Sequence, residues 1–246
     1  MTDLVVDGHC HVGSLRSTPF IRLDTAGLLA KMNQNGVDRA VVTDLSGGVE
    51  GTSRAVREAQ GRLWGFALLD PWDPEAPEVL ERAVTREGFM GLKLHPGIHG
   101  FFANAAVVDP LLRAAQRLDV PVYVHSGTPP HSLPLQIADL AERFPGCAII
   151  MGHMGLYPSL WIDALRAAEK APNVFLETSC MPVYRVIERA VELVGADRVI
   201  FGSDEPYGLM AAELSKIRGL RVSEREKDFI LGGTLMGLLQ GRAGAH

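Results

Sequence analysis

His9 and His11 are the first residues of this sequence whose types and spacing could bind a metal ion. They flank Cys10 in the segment DGHCHVG, and alternate residues of a β-strand project from the same face. The two imidazoles therefore converge, whereas Cys10 points to the opposite face and is expected to pack as a small apolar residue. Converging imidazoles are typical of sites that bind a divalent transition-metal ion.

Further residues of these chemical types lie later in the chain, each at the end of a short apolar run: His95, His125, His153 and Asp204. His125 and Asp204 would extend the first histidine pair to three nitrogens and one oxygen. Such a set suits Zn²⁺ and is compatible with Mn²⁺, Fe²⁺ or Co²⁺. The alternative is a group of core polar residues, but without a cation each would need several buried hydrogen-bond partners. We therefore predict one divalent metal ion, with Zn²⁺ as the expected metal.

The elements that must position these residues are short apolar runs separated by segments of helical periodicity. Near-continuous apolar runs are typical of parallel strands covered on both faces, and the intervening segments repeat apolar residues with the spacing of one helix face. Strand–helix units joined by right-handed crossovers predict an α/β fold, a single (β/α)₈ TIM barrel over residues 1–246. The predicted strands are residues 4–9, 39–45, 63–70, 89–95, 120–125, 148–153, 174–179 and 198–204.

The barrel prediction also explains where the candidate residues lie. Active-site groups of a parallel barrel come from the carboxyl ends of its strands, and all the candidate histidines and Asp204 fall at such ends. An open, doubly wound sheet is the main alternative, but DGHCHVG is not the glycine-rich phosphate turn expected after its first strand. Residues 223–242 are predicted to form a C-terminal helix interrupted by Gly232 and Gly233.

The composition argues against nucleic-acid and membrane partners. A net charge of −5 and a pI near 5.9 leave no overall basic surface for nucleic acid. No apolar run approaches the ~20 residues that cross a bilayer, and the N-terminal residues lack a signal-peptide pattern. The three cysteines are an odd number without CxxC spacing, so a disulfide framework is not expected and a cytoplasmic location is.

The motifs DGHCHVG, GLKLHPG, VYVHSG, IIMGHMG, VFLETS and FGSDEP follow one another along the chain, and in this order they resemble the amidohydrolase superfamily. The similarity is greatest to its amidohydrolase-2 branch of metal-dependent hydrolases and decarboxylases. It implies that His9, His11 and His125 bind a metal ion. It further implies that Asp204 binds the metal and accepts a proton from the attacking water, and that His153 assists as an acid–base group.

One departure from the superfamily concerns the number of metal ions. Two-metal members carry a bridging glutamate or carboxylated lysine at the end of strand four, where this sequence reads GLKLHP. Lys93 could be carboxylated, but KLHP is typical of the single-metal branch. We therefore predict one metal ion, and a second ion bound through a carboxylated Lys93 is the alternative.

The candidates for substrate contact are His95, Lys93, Glu177 and Arg185. Each has a structural alternative. His95 could bond to the backbone, and Lys93 could pair with Glu177 inside the barrel. Arg185 could bind a substrate carboxylate through two parallel hydrogen bonds or lie on an exposed helix face.

The main functional hypothesis is a hydrolase that acts on an amide, lactone or ester of small size. A bound metal lowers the pKa of water from 15.7 to about 7, Asp204 takes the proton as general base, and His153 assists. The alternative is non-oxidative decarboxylation of an unsaturated or aromatic acid, with Asp204 or His153 protonating the carbon. A third hypothesis is a metal-binding barrel without catalysis, against which the presence of both residues argues. A small-molecule substrate is expected in either enzyme, and an apolar stripe on the last helix would permit a homodimer.

Overall fold

The computed structural model describes residues 4–240, so the predicted ends of the domain and of the C-terminal helix, residues 1–3 and 241–246, lie outside the described part. Strands and helices alternate between these limits as the sequence predicts. The strands are β1 Val6–Val12, β2 Arg39–Asp44, β3 Leu63–Leu68, β4 Gly91–Leu94, β5 Val122–His125, β6 Ile149–Gly152, β7 Val174–Glu177 and β8 Val199–Ile200. The helices are α1 Thr25–Asn35, α2 Gly48–Glu58, α3 Ala76–Glu87, α4 Pro96–His99, α5 Asp109–Arg117, α6 Pro134–Arg143, α7 Trp161–Lys170, α8 Tyr184–Val194, α9 Met210–Arg218, α10 Glu224–Asp228 and α11 Thr234–Gln240.

The strands form one parallel sheet in the order β1 to β8, so every strand pairs with its neighbour in sequence. Backbone hydrogen bonds between β1 and the segment after β8 bring the two edges together. Gly8 N donates to Phe201 O at 2.9 Å, and Asp204 N donates to His9 O at 2.8 Å. This arrangement confirms the predicted (β/α)₈ barrel and excludes the open sheet.

Two apolar clusters fix the barrel and leave one end of its interior polar. The larger cluster fills the layer between strands and helices and includes Cys10, as its predicted outward direction requires. The smaller cluster lies inside the barrel, where Val6, Phe66 and Ile200 pack with Leu235 of α11. Because apolar side chains fill this part of the interior, the polar side chains gather toward the carboxyl ends of the strands, where barrel active sites lie.

The C-terminal segment is helical with an interruption at the predicted glycines. A π-helical turn, Phe229–Gly233, separates α10 from α11. Gly232 is required there by close packing, since a Cβ at this position would collide with the carbonyl oxygen of Leu4. Among residues 4–240, no helix has the length and apolar character that crossing a membrane requires.

Candidate metal centre and active site

Three of the predicted metal ligands lie together at the carboxyl end of the barrel. Asp204 Oδ1 is 3.2 Å from His11 Nε2 and 3.7 Å from His9 Nε2. One ligand atom from each of the three residues can be chosen so that all lie within 4.8 Å of one another. The second ring nitrogen of His11, Nδ1, is buried and has no hydrogen-bond partner. Two imidazoles and a carboxylate suit a divalent transition-metal ion, so the residues fit the cofactor predicted from the sequence.

The local backbone explains how these side chains meet. His9 and His11 are alternate residues of β1, whose pairing with β2 shifts register between Asp7 and Cys10. Asp204 follows β8 with φ +56°, in the left-handed region that side chains other than glycine seldom adopt. Strain of this kind is common at functional sites, where the surrounding structure holds the residue in place.

Burial and the neighbouring groups together give His9 and Asp204 the protonation states that metal binding needs. It lowers the pKa of His9 well below its ordinary value, and the adjacent Lys93 lowers it further. Burial alone would raise the pKa of Asp204, but the hydrogen bond from His11 and nearby positive charges outweigh it, and the net shift is downward. Neutral imidazole and ionised carboxylate are the metal-binding forms of these side chains.

His125 and His153 form a second pair beside the first cluster. His125 Nδ1 lies 3.1 Å from His153 Nε2, and burial lowers the pKa of both imidazoles. Within residues 4–240, the groups of three ligand atoms within 4.8 Å of one another do not include one from His125. Its role as a fourth ligand therefore stays a prediction. His153 lies just beyond β6 with φ +63°, at the start of a 3₁₀ turn.

His95 and Lys93 lie next to these histidines. The His95 ring stacks on His125 with 3.9 Å between the ring centroids, and its Nδ1 accepts a hydrogen bond from Ile98 N. Lys93 is 2% exposed, and its Nζ is 3.0 Å from His9 Nε2. Burial lowers the pKa of Lys93 to about 7. The partner of Lys93 is thus His9, where the sequence suggested Glu177.

The other two candidates for substrate contact, Glu177 and Arg185, are not placed as a substrate contact would require. Glu177 is fully buried beneath the histidines and accepts hydrogen bonds from Tyr123 and Ser179. Arg185 lies on α8, where its guanidinium pairs with Glu188, and 67% of its side chain is exposed. Arg185 therefore lies on an exposed helix face, which was the alternative to binding a substrate carboxylate.

A small cavity opens beside the metal-binding candidates. Its volume is about 140 Å³, and it is lined by His11, Leu15, Leu45, His95, His125, Asp204 and Tyr207. The Tyr207 hydroxyl accepts a hydrogen bond from Leu15 N at 3.0 Å and contacts Thr18 Oγ1 at 3.2 Å, which joins the loop after β8 to the loop after β1. A larger cavity of about 420 Å³, lined in part by Arg22, Asp44 and Arg54, includes none of the site histidines.

Tyr123 and Cys180 also contact the site, although neither is among the site residues predicted from the sequence. The Tyr123 hydroxyl oxygen, Oη, lies 2.6 Å from His9 Nδ1, and the hydroxyl donates to Glu177 Oε2 at 2.6 Å. The signal that could have found it is parity, because Tyr123 stands two residues before His125 and shares its strand face. Cys180 Sγ lies 3.7 Å from Asp204 Oδ2, and burial raises the pKa of this thiol.

Comparison with known proteins assigns the chain to a family. A family model described as amidohydrolase, of the amidohydrolase-2 type, matches residues 6–234. This chain belongs to the amidohydrolase family. It is 27% identical over 234 aligned residues to a γ-resorcylate decarboxylase from Polaromonas sp. strain JS666, covering 73% of this chain and 71% of the relative. Alignments to further γ-resorcylate decarboxylases cover 60–61% of those relatives' length.

Solved structures share the fold over nearly the whole chain. The 5-carboxyvanillate decarboxylase of Sphingomonas paucimobilis superposes with a TM-score of 0.80 at 17% identity, covering 97% of this chain and 99% of that one. A dihydroxybenzoic acid decarboxylase of Polaromonas sp. JS666, solved with bound manganese and the inhibitor 2-nitroresorcinol, gives a TM-score of 0.77 at 19% identity. That superposition covers 97% of each chain.

These comparisons overturn one prediction and refine another. The prediction of a hydrolase for amides, lactones or esters is wrong, because the relatives and the solved neighbours compared above are decarboxylases. The metal-binding motifs misled because hydrolases and decarboxylases of this branch share them. A divalent metal cofactor is supported by the cluster of ligands and by the manganese of the neighbours, whereas Zn²⁺ specifically is not.

Proposed function

We propose that this protein is a metal-dependent, non-oxidative decarboxylase of a small hydroxylated aromatic acid. The observation that carries the proposal is the similarity to γ-resorcylate decarboxylases over 73% of the chain. γ-Resorcylate is 2,6-dihydroxybenzoate, a single ring with a carboxylate between two hydroxyls. We take it as the first substrate to test.

The cavity beside the metal-binding candidates is consistent with such a substrate. Leu15, Leu45 and Tyr207 give it apolar and aromatic walls, and His11 and Asp204 stand at its polar side. Its 140 Å³ is small beside the ~300–1,000 Å³ of most ligand pockets, which favours a substrate of one ring. An aromatic ring packs against the apolar walls and presents its carboxylate and hydroxyls to the polar side.

The metal ion would be held by His9, His11 and Asp204, with His125 as the proposed fourth ligand. Mn²⁺ is the proposed ion because solved decarboxylases with this fold contain manganese. When bound, the ion supplies positive charge that orients and stabilises the anionic oxygens of the substrate.

Asp204 is the proposed proton carrier. Decarboxylation breaks the bond between the ring and the carboxylate; CO₂ leaves, the electron pair stays with the ring carbon, and that carbon gains a proton. The lowered pKa of Asp204 keeps it ionised before the reaction and makes its protonated form a stronger acid. We propose that Asp204 takes a proton from a phenolic hydroxyl of the substrate, which a bound cation would make more acidic, and then delivers it to the carbon. Solvent afterwards reprotonates the phenolate. His153 is proposed to assist by holding the ring of His125 in place.

The proposal is tested with Mn²⁺-loaded protein and three matched compounds. With 2,6-dihydroxybenzoate we expect resorcinol and CO₂ in equal amounts, measured by chromatography and gas analysis. Benzoate should not react because it lacks the hydroxyls that donate electrons to the ring and supply the proton. The methyl ester of 2,6-dihydroxybenzoate should not be hydrolysed. If neither 2,6-dihydroxybenzoate nor other hydroxylated aromatic acids release CO₂, or if the ester is cleaved instead, the proposal is wrong.

A further inference from the structure

Glu177 lies beneath the metal-binding candidates as a hydrogen-bond acceptor with several donors. It is fully buried and receives the hydroxyl protons of Tyr123 and Ser179 at Oε2, at 2.6 and 2.9 Å. The backbone N–H of His153 also donates to Oε2 at 3.1 Å, and Ser179 N donates to Oε1 at 2.5 Å. An ionised carboxylate can only accept hydrogen bonds, so each of these donors must point its proton at Glu177.

The first consequence concerns His9. The one hydroxyl proton of Tyr123 goes to Glu177, so Tyr123 faces His9 Nδ1 with an oxygen that can only accept, at 2.6 Å. His9 therefore carries its proton on Nδ1. Its Nε2 therefore holds a lone pair, which can accept a hydrogen bond from Lys93 Nζ at 3.0 Å.

The second consequence reaches two more histidines. The hydroxyl proton of Ser179 goes to Glu177, so Ser179 Oγ accepts from His153 Nδ1 at 2.9 Å. His153 Nε2 then holds a lone pair, which accepts from His125 Nδ1 at 3.1 Å. His125 in turn is left with a lone pair on Nε2.

Glycines keep the space that this network needs. A Cβ at Gly202 would collide with the carboxyl group of Glu177, and a Cβ at Gly152 would collide with the hydroxyl of Tyr123. Neither glycine has a positive φ, so backbone freedom is not what their positions require. What these positions require is the absence of a Cβ, because the side chains of Glu177 and Tyr123 approach them closely.

We propose that Glu177 is a positioning residue that sets the tautomers of His9, His153 and His125 through Tyr123 and Ser179. Each of the three rings is held with its proton on Nδ1 and its lone pair on Nε2. A metal-bound histidine commonly donates its other ring N–H to such a partner, which fixes the ring and raises its basicity. One buried carboxylate thus prepares several imidazoles at once.

The direct test is the tautomer of each histidine in metal-free protein, measured by NMR with ¹⁵N-labelled histidine. In Glu177→Gln the amide NH₂ faces both hydroxyls, which turn their protons toward His9 and His153, so all three rings should move their protons to Nε2. Tyr123→Phe removes the 2.6 Å partner of His9 Nδ1 and should change the tautomer of His9 alone, because Glu177 Oε2 and Ser179 Oγ lie farther away, at 3.5 Å. Ser179→Ala should change the tautomers of His153 and His125 and leave His9 unchanged, because Tyr123, at 2.6 Å from His9 Nδ1, is a closer partner than Ser179 Oγ at 3.5 Å.

Because each variant should change a different set of histidine tautomers, the pattern separates a positioning role of Glu177 from a general loss of structure. Identical tautomers in wild type and Glu177→Gln would overturn the proposal, as would the same change at all three histidines in every variant. Glu188→Gln is the matched control, because Glu188 is a buried carboxylate on α8 that accepts from Arg185 and from Arg221 N, outside the site. It should leave the three tautomers unchanged.

A second readout rests on the metal site of the proposed function. The dissociation constant for Mn²⁺, measured by calorimetry, should rise by about 10- to 100-fold in Glu177→Gln and stay unchanged in Glu188→Gln. Altered tautomers with unaltered Mn²⁺ affinity would overturn the link from Glu177 to the metal. If wild-type protein binds no Mn²⁺ while the tautomers follow the predicted pattern, the proposed function fails and the tautomer assignment stands.

Discussion

Replacing Asp204 by asparagine should lower kcat for decarboxylation of 2,6-dihydroxybenzoate by about 10³-fold, within the range for loss of a positioned proton carrier. Asparagine keeps an oxygen near His11 but cannot take a proton from the substrate and return it to the ring carbon. The assay should contain saturating Mn²⁺, and bound metal should be measured in parallel, so that a lost proton carrier is distinguished from a lost metal ion.

Asp139→Asn is the control for this substitution. Asp139 lies on α6, its side chain is 51% exposed, and it forms a surface ion pair with Lys170 and accepts an exposed hydrogen bond from Asn104 Nδ2. Its replacement should leave kcat unchanged, since exposed ion pairs contribute little. A kcat for Asp204→Asn within about tenfold of wild type would contradict the assigned role, because a positioned acid–base group contributes about 10²-fold or more.

Replacing His11 by alanine should remove the stabilisation that metal gives to the folded protein. A ligand that binds only the folded state at 100 times its dissociation constant stabilises it by about 2.7 kcal/mol. We expect a gain of that size for wild type when Mn²⁺ is added, measured by urea unfolding, and almost none for His11→Ala. Elemental analysis should find one equivalent of metal in wild type and a large reduction in the variant.

His131→Ala serves as the control for this measurement. His131 lies in the loop after β5, where its ring stacks on Phe102 from the loop after β4, and it does not line the cavity beside Asp204. This variant should gain as much stability from Mn²⁺ as wild type does. If His11→Ala retains both the metal and the full gain in stability from Mn²⁺, His11 is not a metal ligand.

The barrel and the place of its site follow from the sequence because they depend on strong, repeated patterns. Each strand is a nearly continuous apolar run, and each crossover helix presents one apolar face to the sheet. Strand parity places His9 and His11 on one face, and the structure brings both to Asp204. Features of this kind can be predicted from side-chain direction alone, which repeats every 2 residues in a strand and every 3.6 residues in a helix.

Backbone geometry just beyond the strands was less predictable. The sequence suggested a strand to residue 204, but β8 ends at Ile200. Phe201 N donates to Ile230 O, and Asp204 adopts φ +56°, so the chain leaves the ladder before the functional residue. His153 behaves similarly after β6. Apolar periodicity does not report these turns, which depend on contacts with distant segments.

The hydrogen-bond network and the reaction lay furthest from what the sequence reveals. Ser179 stands two residues after Glu177, so strand parity already places the two side chains on one face. Tyr123 stands in a strand run where packing alone would explain it, and only the folded barrel brings it to Glu177. The choice between hydrolysis and decarboxylation is not encoded in the shared metal-binding motifs. The cavity wall includes Leu15 and Leu45, which come from loops that carry no motif.

The most direct test of the account is the rate of CO₂ release from 2,6-dihydroxybenzoate as Mn²⁺ is titrated into metal-free protein. We predict no activity without metal, a linear rise with added Mn²⁺, and a plateau at one equivalent of bound ion. Activity that is independent of metal would contradict the account. So would a plateau at two equivalents, or no CO₂ from any hydroxylated aromatic acid when the site is filled.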